Sequence, residues 1–277
     1  MENNPLRQFF RRPAVQIKLP SGGKQYSASV LEMPESGELP VYPMTAIDEI
    51  TSRTPDALFN GTALTDLIQS CVPAIKDPWN LESTDIDAIL IAIKAAGGKQ
   101  DLEVETVCPK CKDQSTFKVN IVGMLSTLKS GDFDTPLQVQ NLKVKFKPLI
   151  YKEMNEGGLE QFTITNKYRN LNNMEDVAER NKLTTTAIKE ITILTMKLLS
   201  RSIEYIETDE EVRVSEFDFI FEFVSSADKK TFESLRDHHT AIKSSSDLKP
   251  LDITCANEEC GHKFTQPFSI NPTDFFA

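Results

Sequence analysis

Four of the five cysteines fall in two tight pairs, Cys108-Pro-Lys-Cys111 and Cys255-Ala-Asn-Glu-Glu-Cys260. Closely spaced thiols serve disulfide closure, redox exchange or metal binding. The chain opens MENNPLRQFF with no apolar run of signal-peptide length. No stretch approaches the roughly 18 apolar residues of a membrane span. The expectation is therefore a cytosolic compartment where thiols stay reduced. There, such pairs are metal ligands or redox catalysts more often than bridges. Redox use favours a cysteine at a helix start, whereas Cys108 and Cys111 sit between two strand-like runs.

The flanks of the two pairs repeat each other, LEVETVCPKCKDQSTFKVNI against LDITCANEECGHKFTQPFSI. Each reads as strand, cysteine-bearing turn, strand. Two such hairpins, docked together, supply the four soft donors that a tetrahedral Zn²⁺ takes at about 2.3 Å. Cys108, Cys111, Cys255 and Cys260 would form a closed site, structural and not catalytic, because no coordination position is left for water. His262 is a competing ligand in combination with Cys255 or Cys260, while Gly261 eases the second turn. The plain alternative is four reduced thiols without a metal.

The elements that must position these cysteines read as an α+β chain. AVQIKLP, KQYSASVLEM and ELPVYPM suggest a small antiparallel meander, with SGG as a hairpin turn. Short helices follow in TAIDEITS, TPDALFN and TALTDLIQSCV, then a stronger one in STDIDAILIAIKAAGG with Ile86, Ile89, Leu90 and Ile93 on one face. Between the cysteine hairpins lie the strand pair PLQVQ and KVKFKPL and a long helix with Ile188, Ile191, Leu194 and Leu198 at helical spacing. Next come the pair IEYIE and VRV, and the helices SEFDFIFEFVSS, with Ser215 as N-cap, and ADKKTFESLRDHHTAIKS. The connector KSSSDLK leads back to the second hairpin. The expected organisation is an arm (1–13), an α/β region (14–101), two halves of a split zinc ribbon (102–121 and 249–272), a mainly helical insertion (122–248) and a tail (273–277).

The 277 residues are 39% hydrophobic and 26% charged, with a net charge of -10. That balance counts against a phosphate-tracking surface and so against a nucleic-acid partner. Lys110, Lys112 and Lys118 near the first cysteine turn are offset by Asp113, Glu258 and Glu259. Arg7, Arg11 and Arg12 surround Phe9 and Phe10, either to meet an acidic partner or to keep an apolar segment soluble. SGGK at 21–24 lacks the spacing of a phosphate loop. His238 and His239 read as solvated helix surface, Asp209 to Glu211 as a turn, and Cys71 as a small buried apolar residue. There is no GxSxG or HExxH, so no enzyme and no small-molecule substrate are expected. Phe9, Phe10, Phe275 and Phe276 either fold back onto the body or serve as docking arms.

The series IKLPSGGKQY, PMTAIDEI, GTALTDLIQSCV, IDAILIAIKAAG, EVETVCPKC, FVSSADKKTFESLRDHH and finally CxxxxCG with INPTDFF resembles the baseplate hub assembly chaperone family of T-even-like contractile-tailed phages, from about residue 14 to the end. The resemblance implies a non-enzymatic assembly factor or minor component of the tail baseplate hub. It would act on hub proteins in the infected bacterial cytoplasm and could persist in the virion baseplate. It also places Cys108, Cys111, Cys255 and Cys260 on the family's two Cys-pair turns, with CANEEC standing where CxxC is commoner. A zinc-ribbon accessory protein of nucleic acid or transcription is the competing function, because such ribbons occur in both roles.

Overall fold

Helices and small antiparallel sheets alternate along the chain, and the computed structural model describes them over residues 5–51, 54, 60–98, 101–171, 174–268 and 270. The expected helix TPDALFN and the aromatic pair Phe275 and Phe276 lie outside the described residues. Two units are present, Met1–Ser130 with Ser246–Ala277, and Gly131–Ser245.

In the first unit, β1 (Val15–Ile17) pairs antiparallel with β2 (Leu39–Val41), and Val15 faces Val41. Helices α1 (Ala46–Thr51), α2 (Thr62–Cys71) and α3 (Ser83–Ala96) follow. The expected face of α3 is buried, and so are Ala88, Ile91 and Ala92. A helix apolar on all sides belongs inside, and each fully buried isoleucine contributes about 1.5–3 kcal/mol. α3 is thus the centre of this unit, ended by Gly97, whose N–H reaches the Ile93 carbonyl, and by Gly98 at φ +83°.

The middle strand of the expected meander does not form, and residues 24–33 run through turns with a single bridge, Leu31 to Ile75. Nor is SGG a hairpin turn. The side chains explain both corrections. Ser21 donates its amide (3.0 Å) and hydroxyl (2.5 Å) to buried Asp85, Tyr26 donates to the same carboxylate, and Gln25 Nε2 donates to Glu82 Oε1 at 2.7 Å. This stretch follows the start of α3 in place of a neighbouring strand. Gly22 and Gly23, both at positive φ, turn the chain into that path. Cys71 is fully buried, as its setting in α2 suggests.

The first cysteine hairpin is β3 (Asp101–Val107) with β4 (Gln114–Asn120), followed by α4 (Ile121–Leu125).

The second unit holds a four-stranded antiparallel sheet in sequence order, β5 (Leu137–Val139), β6 (Leu142–Phe146), β7 (Ile203–Glu207) and β8 (Arg213–Val214). Two antiparallel helices, α5 (Tyr151–Lys167) and α6 (Val177–Arg201), are inserted between β6 and β7. Ion pairs Glu156–Arg201, Glu160–Lys197 and Lys167–Glu190 hold them in a constant register. Helices α7 (Phe217–Ser226) and α8 (Lys229–Ser246) complete a core around Val144, Phe146, Ile206, Ile220 and Leu235.

Four details differ from expectation. Glu216, not Ser215, is the N-cap of α7, without a side-chain cap bond. The KSSSDLK connector begins later, because α8 runs through Ser246, and Ser245 returns its hydroxyl to the Ile242 carbonyl. His238 and His239 are half-buried, their rings 5.3 and 6.0 Å from that of Phe146. Burial lowers the pKa of each. On α6, Leu194 is buried but Ile188 and Ile191 are 60% and 44% exposed.

The chain returns to the first unit in the hairpin β9 (Leu251–Thr254) and β10 (Lys263–Gln266).

Candidate metal centre

In the two cysteine hairpins the strands alternate between exposed residues and a partly covered inner face. That inner face leads into the cysteines: Leu102, Val104 and Thr106 precede Cys108, and Leu251 and Ile253 precede Cys255. An isolated two-stranded hairpin is marginal in water at best. Apart from the cysteines, only Thr106 and Ile253 of these two hairpins are buried. Apolar packing therefore leaves much of the work of holding the hairpins to their tips.

The tips are built alike. The amide of the first cysteine donates to the carbonyl two residues beyond the second: Cys108 to Asp113 and Cys255 to His262, both at 2.9 Å. The residue after the second cysteine is left-handed in each, Lys112 at φ +63° and Gly261 at φ +51°. The extra residues of CANEEC are absorbed by a turn in which Cys260 and Gly261 both donate to the Asn257 carbonyl at 3.0 Å. The longer spacing thus closes on the same geometry as CPKC.

The four sulfurs lie within 4.8 Å of one another. Across the hairpins, Cys108 Sγ is 4.0 Å from Cys260 Sγ and Cys111 Sγ is 3.5 Å from Cys255 Sγ. Sulfurs about 2.3 Å from one tetrahedral ion stand about 3.8 Å apart, so the spacing fits a single metal. A further bond between the hairpins runs from Thr106 Oγ1 to Gln266 Oε1 at 3.2 Å.

Electrostatics point the same way. Burial raises the Cys108 thiol, but the amides of Cys111 and Lys110 outweigh it and bring the pKa down to about 7. The amide of Asn257 favours a thiolate at Cys255, yet burial and the neighbouring sulfurs push it up to about 12. Neighbouring sulfurs contribute to raising both Cys111 and Cys255, and a cation among them removes that repulsion. His262 is outside the cluster, its ring stacked on Phe264 at 6.2 Å.

Elsewhere, Phe9 and Phe10 are 76% and 57% exposed at the end of a short 3₁₀ turn, Pro5–Phe9. Arg11 beside them does not face outward. Its guanidinium donates to the carbonyls of Pro43 and Ser70, both at 2.7 Å, and lies 3.2 Å from the Asp48 carboxylate. Burial opposes the charge on Asp48, but Thr45, Ser70 and Arg11 hold its pKa below the usual range. The sequence carries no local sign of this anchor, whose partners lie 32, 37 and 59 residues away.

The sequence model of the T4 bacteriophage base plate proteins matches residues 13–277, nearly the whole chain and both cysteine hairpins. The chain belongs to the T4 bacteriophage base plate protein family. Neither a curated protein nor a solved structure matches it. Among the described residues of this baseplate protein, no helix is long and apolar enough to cross a membrane.

Proposed function

We propose that this baseplate protein is a non-enzymatic assembly factor or minor component of the baseplate hub. On this reading it binds hub proteins in the infected bacterial cytoplasm and can remain in the virion baseplate. Its family membership over residues 13–277 is the observation that carries the reading. The exposed apolar side chains of Phe9, Phe10 and α6 support a role built on protein contacts. Phe275 and Phe276 are the matching candidates at the other end of the sequence.

The metal in this reading is a structural Zn²⁺ held by Cys108, Cys111, Cys255 and Cys260. Four thiolates suit zinc and leave no open position for substrate or water. Its role is to clip together hairpins whose paired cysteines are 144 and 152 residues apart in sequence.

The test is to purify the tagged protein from infected cells and identify what travels with it. Hub proteins are the expected companions. Recovery of nucleic acid or polymerase in their place contradicts the reading and favours the transcription-accessory alternative.

A further inference from the structure

At two places in this fold an aromatic ring beside a carboxylate is met by an arginine. The Arg11 guanidinium lies 5.7 Å from the centre of the Tyr42 ring and 3.2 Å from the Asp48 carboxylate. That of Arg213 lies 4.6 Å from the centre of the Tyr205 ring and 2.7 Å from the Glu207 carboxylate. A planar cation serves both partners at once, through the face of the ring and through its own fork of N–H groups.

Helix α7 carries the same pairing of ring and carboxylate without the arginine. Phe217 and Phe221 stack at 5.9 Å, and Phe217 and Phe219 are 39% and 61% exposed. Residues three and four apart are neighbours on a helix surface. Asp218 therefore adjoins Phe221, Glu222 adjoins Phe219, and the two carboxylates adjoin each other between the rings. Both are exposed, and among the described residues neither has a cation within ion-pair distance. Like charges at this spacing weaken a helix. The helix dipole favours Asp218 in the first turn but does little for Glu222. The arrangement serves the stability of α7 poorly.

The missing cation stands on the same chain. Arg7 and Arg12 are exposed, and among the described residues neither lies within ion-pair distance of a carboxylate. The Phe10 amide closes a turn on the Arg7 carbonyl at 3.1 Å. Side chains three apart eclipse in a 3₁₀ turn, so Arg7 and Phe10 share a face. The Arg12 guanidinium reaches only the Gln8 carbonyl, at 3.4 Å. Arg11, bonded to the carbonyls of Pro43 and Ser70, fixes the root of this segment, which lowers the entropy lost on docking.

We propose that residues 7–12 of one copy of this chain dock on the α7 face of a second copy. Arg7 and Arg12 meet Asp218 and Glu222, and the Phe9 and Phe10 rings lie among those of Phe217 and Phe219. Two copies of net charge -10 repel each other, and this contact brings opposite signs together locally. The two surfaces differ, so each copy offers one arm and one face. The proposal rests on the docking role given above to Phe9 and Phe10, and it names a second copy of this chain as a hub component that they meet.

The experiment is a charge exchange between two full-length variants, one with Arg7→Glu and Arg12→Glu, the other with Asp218→Lys and Glu222→Lys. All four positions are exposed, so both variants should keep the wild-type melting temperature. Sedimentation velocity at rising concentration should show the wild type associating. Each variant alone should associate at least about tenfold more weakly, as two ion pairs become two repulsions. Mixing the variants should restore association, because the reversed arm of one then meets the reversed face of the other. A wild type that stays monomeric, association indifferent to either reversal, or a mixture no stronger than its components overturns the proposal. Recovery of other hub proteins from infected cells by a chain that stays monomeric would leave the hub role standing and strike this contact alone.

Discussion

The Tyr26 hydroxyl donates a 2.6 Å hydrogen bond to Asp85 Oδ2, and the same oxygen of Tyr26 accepts the Glu82 amide at 2.9 Å. One phenol therefore serves two groups at the start of α3, and Asp85 is fully buried. Tyr26→Phe keeps the ring but leaves both groups short of a partner. Stability should fall by about 1–3 kcal/mol, the cost of leaving buried polar groups unsatisfied. Chemical denaturation measures it, and a change below about 0.5 kcal/mol contradicts the assignment.

The two units should respond to pH in opposite directions between about pH 5 and 8. Burial, with help from the Asp85 charge, raises Glu82 from 4.5 to about 7. Its contribution is full below the unfolded value of 4.5 and is lost as pH rises through 7. His238 and His239 are lowered from 6.5, chiefly by burial, so their contribution is full above 6.5 and is lost as pH falls through their folded values. Nε2 of His238 is buried with no hydrogen-bond partner among the described residues, consistent with a neutral ring. Peptide-resolved hydrogen exchange at several pH values, corrected for intrinsic rates, should show the first unit loosening toward pH 8 and the second toward pH 5. Glu82→Gln should flatten the first trend and His238→Gln the second; an unchanged trend in either variant counts against that residue's role.

What sequence alone reveals here depends on how far apart the interacting residues are. The cysteine hairpins could be read because the chemistry and the turn are local, and because the second hairpin repeats the first. The enclosed helix α3 announces itself by composition, since Ile86 to Ile93 is almost wholly apolar. Residues 24–33 have the alternating pattern of a strand, yet the hydrogen bonds that decide their path end on Asp85, 59 and 64 residues from Tyr26 and Ser21. On α6 the period marks an apolar face, but periodicity does not say what covers it: Leu194 is buried while Ile188 and Ile191 are 60% and 44% exposed.

Arg11 and the two phenylalanines before it should separate cleanly. Arg11→Ala removes four hydrogen bonds, one of them the ion pair with Asp48, from a partly buried site and should lower stability by about 1.5–3 kcal/mol, as for hydrogen bonds to charged groups. Phe9→Ala with Phe10→Ala should change stability by less than about 0.5 kcal/mol. The same pair should weaken capture of a hub protein by more than about 1 kcal/mol per ring. A loss of stability without a loss of capture would sink the docking role of these rings.

The sulfur cluster gives the most direct test of the central claim, that one structural zinc clips the two hairpins together. Elemental analysis with X-ray absorption on the purified protein should find about one Zn per chain, surrounded by four sulfurs at about 2.3 Å. Cys108→Ser or Cys260→Ser should remove the metal and cost several kcal/mol, whereas His262→Ala should leave the metal content as it was. Less than stoichiometric metal, a nitrogen or oxygen in the first coordination sphere, or zinc retained after Cys255→Ser with Cys260→Ser would contradict the clip.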